Sequence, residues 1–136
     1  MSRVGEKKNQ HYLVRHAIMC NMIQKQDLGK QLRRGVVEPS ILGLLEREPM
    51  YGWQLAEELI QRGQIIASIG TLYPVLGRLR DQELVTTFEL PSEIGPSRKY
   101  YQLTPKGATE LNQFRETWKQ FTADVSAVIR IDQEKK

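Results

Sequence analysis

The chain has 136 residues, of which 40% are hydrophobic and 26% are charged, and its formal net charge is +4 at pH 7. This balance is typical of one soluble globular domain and excludes a disordered chain. The single cysteine, Cys20, cannot close an internal disulfide, so we expect a reducing compartment, the cytoplasm. The partly apolar stretch from Tyr12 to Ile23 is too short and too interrupted for a membrane span or a signal peptide, and neither is predicted.

The positive charge is concentrated at the start of the chain. Residues 1–34 contain eight basic and two acidic residues, a net charge of +6, whereas the remainder contains 12 basic and 14 acidic residues, a net charge of −2. Net charge therefore does not by itself identify the rest of the chain as DNA-binding, because a binding footprint depends on cations clustered on one face.

The sequence offers no pattern for a metal, a cofactor or catalysis. His11 and His16 have no cysteine or carboxylate at ligand spacing, so no metal site is predicted. Motifs for a catalytic nucleophile or a phosphate-cradling loop are missing as well. We therefore expect neither a cofactor nor an enzyme activity.

Two short helices are predicted in the first half of the chain. Apolar residues at helical spacing indicate a first helix from Val36 to Arg47, with Pro39 in its first turn, where its missing N–H would be unpaired anyway. A short connection at Met50 to Gly52 leads to a second helix that ends near Gly63.

The stretch ASIGTLYPVLGRLRDQELV predicts a third helix with a polar edge. Its buried stripe recurs at three- and four-residue spacing and consists of Ile69, Leu72, Leu76 and Leu79. The opposite edge carries Ser68, Thr71, Val75 and Arg78. Because Pro74 fits a helix only in its first turn, we expect the helix to begin between Ser68 and Thr71, with one of those hydroxyls as the N-cap. Such a start directs unpaired N–H groups and a positive dipole end outward, where they favour a phosphate.

A β-hairpin is predicted after the third helix. Leu84 to Leu90 and Arg98 to Thr104 are rich in β-branched and aromatic residues, and the seven residues from Pro91 to Ser97 have turn chemistry. Three helices followed by a two-stranded wing is the order of a winged helix-turn-helix, in which the third helix enters the major groove and the wing lies along the backbone. The predicted fold class is mainly α with a small β-hairpin.

A long helix is predicted from Pro105 to Ile131. Its apolar residues alternate at spacings of three and four, which is a heptad seam formed by Leu111, Phe114, Trp118, Phe121, Val125 and Val128. Such a helix measures about 40 Å, too long to be covered by a winged domain of about 70 residues, so the seam requires a second copy.

The chain is predicted to consist of four segments. A basic extension at residues 1–34 is followed by a winged domain at 35–104, a dimerisation helix at 105–131 and a tail at 132–136. For the extension, the sequence leaves open whether it forms a short helix or stays loose.

Three motifs carry a resemblance to a known family: YGWQLAEEL at Tyr51 to Leu59, GTLYPVLGRL at Gly70 to Leu79, and GPSRKYYQLTPKG at Gly95 to Gly107. In this order and spacing, from about Leu32 to Ala123, the chain resembles the PadR family of bacterial transcriptional regulators. It is most similar to the compact members that have a single C-terminal helix.

The resemblance implies a homodimeric repressor that binds double-stranded DNA at an inverted-repeat operator. A stress signal or a small molecule, such as a hydrophobic or aromatic effector, would release it. The DNA-facing start of the recognition helix would comprise Ser68, Thr71, Tyr73 and Pro74. Tyr51 would meet the DNA backbone, and Arg98 and Lys99 would form a basic wing. Trp118 occupies the position that lines a hydrophobic pocket between subunits in drug-responsive relatives.

The sequence departs from the family pattern in three places. Gly77 stands where relatives commonly have a basic or larger residue, which removes one phosphate contact and costs the helix about 1 kcal/mol. Glu83 stands where a glycine usually ends the recognition helix, and a left-handed residue other than glycine costs about 1–2 kcal/mol. The basic extension has no counterpart in the family pattern, so its role stays open.

Several features also have a plainer interpretation. Arg78 and Arg80 could be solvated helix residues, although the polar edge favours a DNA contact for Arg78. Tyr73 could serve only the core, and Trp118 could serve the dimer core, a ligand pocket or both. For the whole chain, the alternative function is a winged-helix module that docks a protein partner, and a steep loss of binding with rising salt would separate DNA binding from it.

Overall fold

The computed structural model describes residues 29–131. The chain divides into two compact units, residues 1–35 and 36–136, and the described part of the first is the helical segment 29–35. The predictions for residues 1–28, which include Cys20 and both histidines, and for the tail at 132–136 lie outside the described residues. Within residues 29–131, no helix combines the length and the apolar character needed to cross a membrane.

The first helix, α1, covers residues 29–47 and is longer than predicted. Pro39 therefore lies inside the helix, which corrects the expectation that it belongs to the first turn. A proline in the interior removes the hydrogen bond to the carbonyl of Gly35, four residues earlier. The prediction missed the earlier turns because the residues before Gly35 are mostly polar and show no apolar stripe, although lysine, glutamine, leucine and arginine are good helix formers.

Helices α2 and α3 follow in the positions that the sequence predicts. Helix α2 covers Gly52–Gln61, and helix α3 covers Leu72–Asp81 after a 3₁₀ turn at Ile69–Thr71. Pro74 lies in the first turn of α3, as predicted.

The capping at the start of α3 differs from the prediction. Ser68 and Thr71 do stand at the N-cap positions of the 3₁₀ turn and of α3, but neither hydroxyl caps a backbone N–H. The Thr71 hydroxyl instead donates to the carbonyl oxygen of Ser68 at 2.7 Å. For Thr71 the reason is that the 3₁₀ turn gives it helical dihedral angles, whereas a capping side chain needs an extended backbone. This reason does not apply to Ser68, whose backbone is extended.

The sheet has three antiparallel strands. Strands β2 at Val85–Leu90 and β3 at Arg98–Leu103 form the predicted hairpin, with residues 91–97 between them. A short strand, β1 at Met50–Tyr51, pairs with β3 and gives the strand order β1-β3-β2. The sequence indicates only a connection there, because two residues are too few to show alternation. The predicted fold class, mainly α with a small hairpin, is confirmed, and β1 enlarges the sheet.

The core is built mainly from aliphatic side chains of the first three helices and the sheet, and it also includes Tyr101 of the sheet and Leu111 of the last helix. Its fully buried members are Ile41, Leu55, Leu59, Leu72, Leu76, Leu79 and Val85. Val75 is only 9% exposed, so its predicted place on the polar edge is wrong, because it lies one helical turn from both Leu72 and Leu79. Tyr101 is buried and Tyr100 is half-buried, as the alternation of a strand predicts.

Helix α3 ends in a Schellman motif with Glu83 in the left-handed conformation. The amide of Leu84 donates to the carbonyl oxygen of Leu79 at 2.9 Å, and the amide of Glu83 donates to that of Arg80 at 2.9 Å. Glu83 has a φ of 62°, which is the strained conformation predicted for this position. Leu79 and Leu84 are both buried and supply the apolar contact that accompanies the motif.

The last helix, α4 at Pro105–Ile129, begins at the corner that ends α3. As N-cap, the Thr104 hydroxyl accepts a hydrogen bond from the amide of Gly107 at 3.0 Å. The same hydroxyl lies 2.7 and 3.0 Å from the carbonyl oxygens of Glu83 and Leu84, to which it can donate. A methyl group at Gly107 would overlap the carbonyl oxygen of Leu84, so this close approach requires glycine.

Replacing Glu83 by glycine should raise the free energy of unfolding by about 1 kcal/mol, because glycine adopts the left-handed conformation without steric cost. Urea denaturation measures the change. Gln82→Gly is the matched control: the φ of Gln82 is −82°, so glycine brings no relief there and should lower the stability. A Glu83→Gly protein no more stable than the parent would contradict strain at this residue.

Candidate nucleic-acid interface

The start of α3 is open to solvent at the residues predicted to face DNA. Ser68, Thr71 and Pro74 are exposed, and Tyr73 is 52% exposed. The first turn of α3 contains no acidic residue. The helix dipole therefore presents partial positive charge to the solvent here, although the amides of Thr71 and Leu72 already donate within the 3₁₀ turn and Pro74 has no N–H.

Tyr73 lies against the start of α2. An ideal Cβ atom built on Gly52 would stand only 2.9 Å from the hydroxyl oxygen of Tyr73 and 3.1 Å from a carbon of its ring. Any side chain at position 52 would therefore displace this tyrosine. Gly52 of α2 and Tyr73 of α3 therefore pack against each other, which sequence spacing alone does not reveal.

Arg78 lies on the exposed side of α3, but it already has an acidic partner. Its guanidinium nitrogen atoms lie 3.1 and 3.2 Å from a carboxylate oxygen of Glu38 in α1. Both side chains remain partly exposed. A phosphate would have to compete with Glu38 for this cation. Glu38 was not among the predicted site residues, because no spacing rule connects residues forty positions apart.

The wing holds its two basic residues in different surroundings. Arg98 and Lys99 are both exposed, but successive residues of a strand point to opposite faces of the sheet. Lys99 pairs in register with Glu89 of β2. The guanidinium carbon of Arg98 lies 4.7 Å from the centre of the Tyr51 ring. An acid therefore stands opposite one wing cation, and an aromatic ring lies under the other.

On the interior face of the wing, Tyr101 contributes packing and not charge. Burial raises the pKa of the Tyr101 hydroxyl, and the positive charge of Arg80 opposes this shift only in part. Tyr101 is therefore neutral at ordinary pH.

An apolar face is exposed along the second half of α4. Leu111, the first residue of the predicted seam, is buried in the core of its own protomer and is not available to a second chain. The remaining seam residues are half-buried or exposed: Phe114, Trp118, Phe121, Val125 and Val128. The rings of Phe114 and Trp118 stack with their centroids 5.7 Å apart. These five residues are called the α4 face below.

An ion pair ties α4 to α1. The guanidinium nitrogen atoms of Arg115 lie 2.8 and 3.1 Å from the two carboxylate oxygens of Glu46. The hydrogen bond between them lowers the pKa of Glu46 and raises that of Arg115. Because both groups are exposed, the pair orients the helix more than it stabilises the fold.

Known proteins share the order of helices and wing described above. The sequence model of the transcriptional regulator PadR-like family matches residues 41–113, more than half of the chain, and includes α2, α3 and the wing. The chain belongs to the PadR-like family.

Solved structures of PadR-like regulators agree with this assignment. A PadR-like transcriptional regulator of Bacillus cereus is 32% identical, with a TM-score of 0.67 over 77% of this chain and 99% of that one. A PadR family transcriptional regulator of Eggerthella lenta is 28% identical, with a TM-score of 0.71 over 85% of this chain and 99% of that one. A protein of Lysinibacillus sphaericus known as Uncharacterized protein X is 30% identical over 98 residues, 71% of this chain and 86% of that protein.

The PadR-like family model does not reach the exposed part of α4. It ends at residue 113, one residue before the α4 face begins, whereas the resemblance in sequence was expected to continue to about Ala123. The structural match to the Eggerthella lenta regulator covers 85% of this chain and therefore extends beyond residue 113.

Replacing Gly52 or Gly77 by alanine should change the free energy of unfolding in opposite directions. Gly52→Ala should lower the free energy of unfolding, because the new methyl group collides with the Tyr73 side chain. Gly77→Ala is the matched control: its methyl group would meet no atom within 4 Å, and better helix propensity should raise the stability by about 1 kcal/mol. Thermal unfolding measures both, and a Gly52→Ala protein as stable as the parent would contradict the described packing of Tyr73.

Proposed function

We propose that this PadR-like protein is a repressor that binds an inverted-repeat operator in double-stranded DNA as a homodimer. The observation that carries the proposal is the exposed start of α3, where Ser68 and Thr71 stand beside Tyr73 and Pro74 without an acidic residue in the first helical turn. Exposed hydroxyl groups at the positive end of a helix are suited to phosphate oxygens and to base edges. Repression follows when the operator overlaps a promoter.

A second copy of the chain is the proposed partner of the α4 face. Within one protomer, Phe121 is 58% exposed and Val128 is 81% exposed. Large apolar side chains repeating on one helical face are covered in water by an equivalent face. A dimer formed in this way would present two copies of α3, as helix-turn-helix dimers do for half-sites about 34 Å apart.

The proposed effector is a small hydrophobic or aromatic molecule that binds beside Trp118. This side chain is 45% exposed and stacks on Phe114, so a flat apolar ligand could extend the same stack in the dimer. Binding there would change the angle between the two copies of α4 and so the spacing of the recognition helices. The proposed site of action is the cytoplasm, where the protein would reach DNA without a cofactor.

A binding titration at several salt concentrations tests DNA binding directly. The probe is the DNA upstream of the protein's own coding sequence, because regulators often control adjacent genes. Affinity should fall steeply as salt rises, because each neutralised phosphate releases counterions. Weak binding that salt does not affect would favour the alternative, a winged-helix module for a protein partner.

Thr71→Ala should weaken binding to this DNA about three- to tenfold, the strength of one lost hydrogen bond, without changing the thermal stability. A mobility-shift assay measures the affinity. Thr109→Ala is the matched control, because the Thr109 hydroxyl also lies near a carbonyl oxygen of its own segment, at 3.2 Å, but belongs to α4. Unchanged affinity of Thr71→Ala would count against the proposed orientation of α3.

Phe121→Asp should dissociate the dimer, because a carboxylate would be buried between two apolar faces without a partner. Sedimentation velocity measures the change as a loss of mass. Gln113→Asp is the matched control, since Gln113 is exposed and lies outside the α4 face. A Phe121→Asp protein that still sediments as a dimer would refute the proposed interface.

A further inference from the structure

An aromatic row crosses the outer face of the sheet. Tyr51 of β1 and Phe88 of β2 are both paired in register with Tyr100 of the central strand β3. The ring centroids of Tyr51 and Tyr100 lie 5.5 Å apart in an edge-on arrangement, and those of Phe88 and Tyr100 lie 5.5 Å apart in a stack. The Tyr51 ring is therefore held on one side by its contact with the Tyr100 ring.

Arg98 lies over the ring that ends this row. It precedes Tyr100 by two residues, so both side chains project from the same face of β3. Its guanidinium carbon is 4.7 Å from the centre of the Tyr51 ring, within the range of a cation–π contact. Among the described residues, Arg98 forms no ion pair, whereas Arg78 is bound to Glu38. A ring orients the guanidinium without cancelling its charge.

We propose that Tyr51 is a positioning residue for DNA binding and acts through its aromatic ring on Arg98. This inference rests on the proposed DNA-binding function and names how one part of that site works. Arginine loses much rotamer freedom when it binds, and a side chain already held over a ring loses less at that moment. Tyr51 thus contributes by ordering the wing cation that meets a phosphate, and its hydroxyl is not the essential group.

Variants of Tyr51, Arg98 and Lys99 and a salt titration test the inference. Binding to the upstream DNA is measured for Tyr51→Leu, Tyr51→Phe, Arg98→Ala and the double variant of Tyr51→Leu with Arg98→Ala. Tyr51→Leu should weaken binding about two- to fivefold, which corresponds to an exposed cation–π contact. Tyr51→Phe should restore most of that loss, because it retains the ring. Arg98→Ala should reduce the salt slope by about 0.9, the value for one phosphate contact.

The double variant decides between a positioning role and a separate contact. If Tyr51 acts through Arg98, Tyr51→Leu should cause no further loss once Arg98 is alanine. In a Lys99→Ala background the full loss should persist, because Lys99 lies on the other face of the sheet and does not touch the ring. Urea denaturation of each variant separates lost binding from lost folding.

Each contrary result has a distinct meaning. A loss with Tyr51→Phe as large as that with Tyr51→Leu would overturn the inference in favour of a direct hydroxyl contact. An additive loss in the double variant, or an unaltered salt slope in Arg98→Ala, would also overturn it. A parent protein that fails to bind DNA would instead refute the proposed function itself, and that result is visible before any variant is compared.

Discussion

The end of α3 and the start of α4 meet at a corner that fixes the orientation of these two helices to each other. The proposed function depends on this orientation. The Thr104 hydroxyl accepts from the Gly107 amide and lies within hydrogen-bonding distance of the carbonyl oxygens of Glu83 and Leu84. The glycine at 107 lets the first turn of α4 approach the backbone at Leu84 closely. The helix proposed to read DNA and the helix proposed to join two copies therefore meet through short, directional contacts and not through a flexible linker. A change in the angle between two copies of α4 would be transmitted to α3.

The candidate interface uses few cations, and their surroundings decide how each can act. Glu38 holds Arg78 in an ion pair, Glu89 stands opposite Lys99, and Arg98 rests on an aromatic ring. Exposed ion pairs contribute little to stability, so their main effect here is to set which cations are available to phosphates. In this family member, the hydroxyls at the start of α3 and the wing arginine are the groups that we propose to contact DNA.

Much of the fold could be predicted from the sequence, because its signals are local. Pro74 marks the first turn of α3, the turn residues from Pro91 to Ser97 delimit the wing, and the missing glycine at Glu83 predicts the left-handed strain that the structure contains. What could not be predicted depends on tertiary contacts: the strand β1, the partner of Arg78, and the burial of Leu111 in its own protomer. The DNA-contacting and dimerisation residues stay predictions.

Hydroxyl-radical footprinting of the dimer on its operator tests the central claim most directly. The account predicts two equivalent protected segments on one side of the duplex, about 10–10.5 base pairs apart from centre to centre, with two chains bound per operator. A single protected segment bound by one chain would contradict it, because one copy of α3 would then suffice without any role for the α4 face.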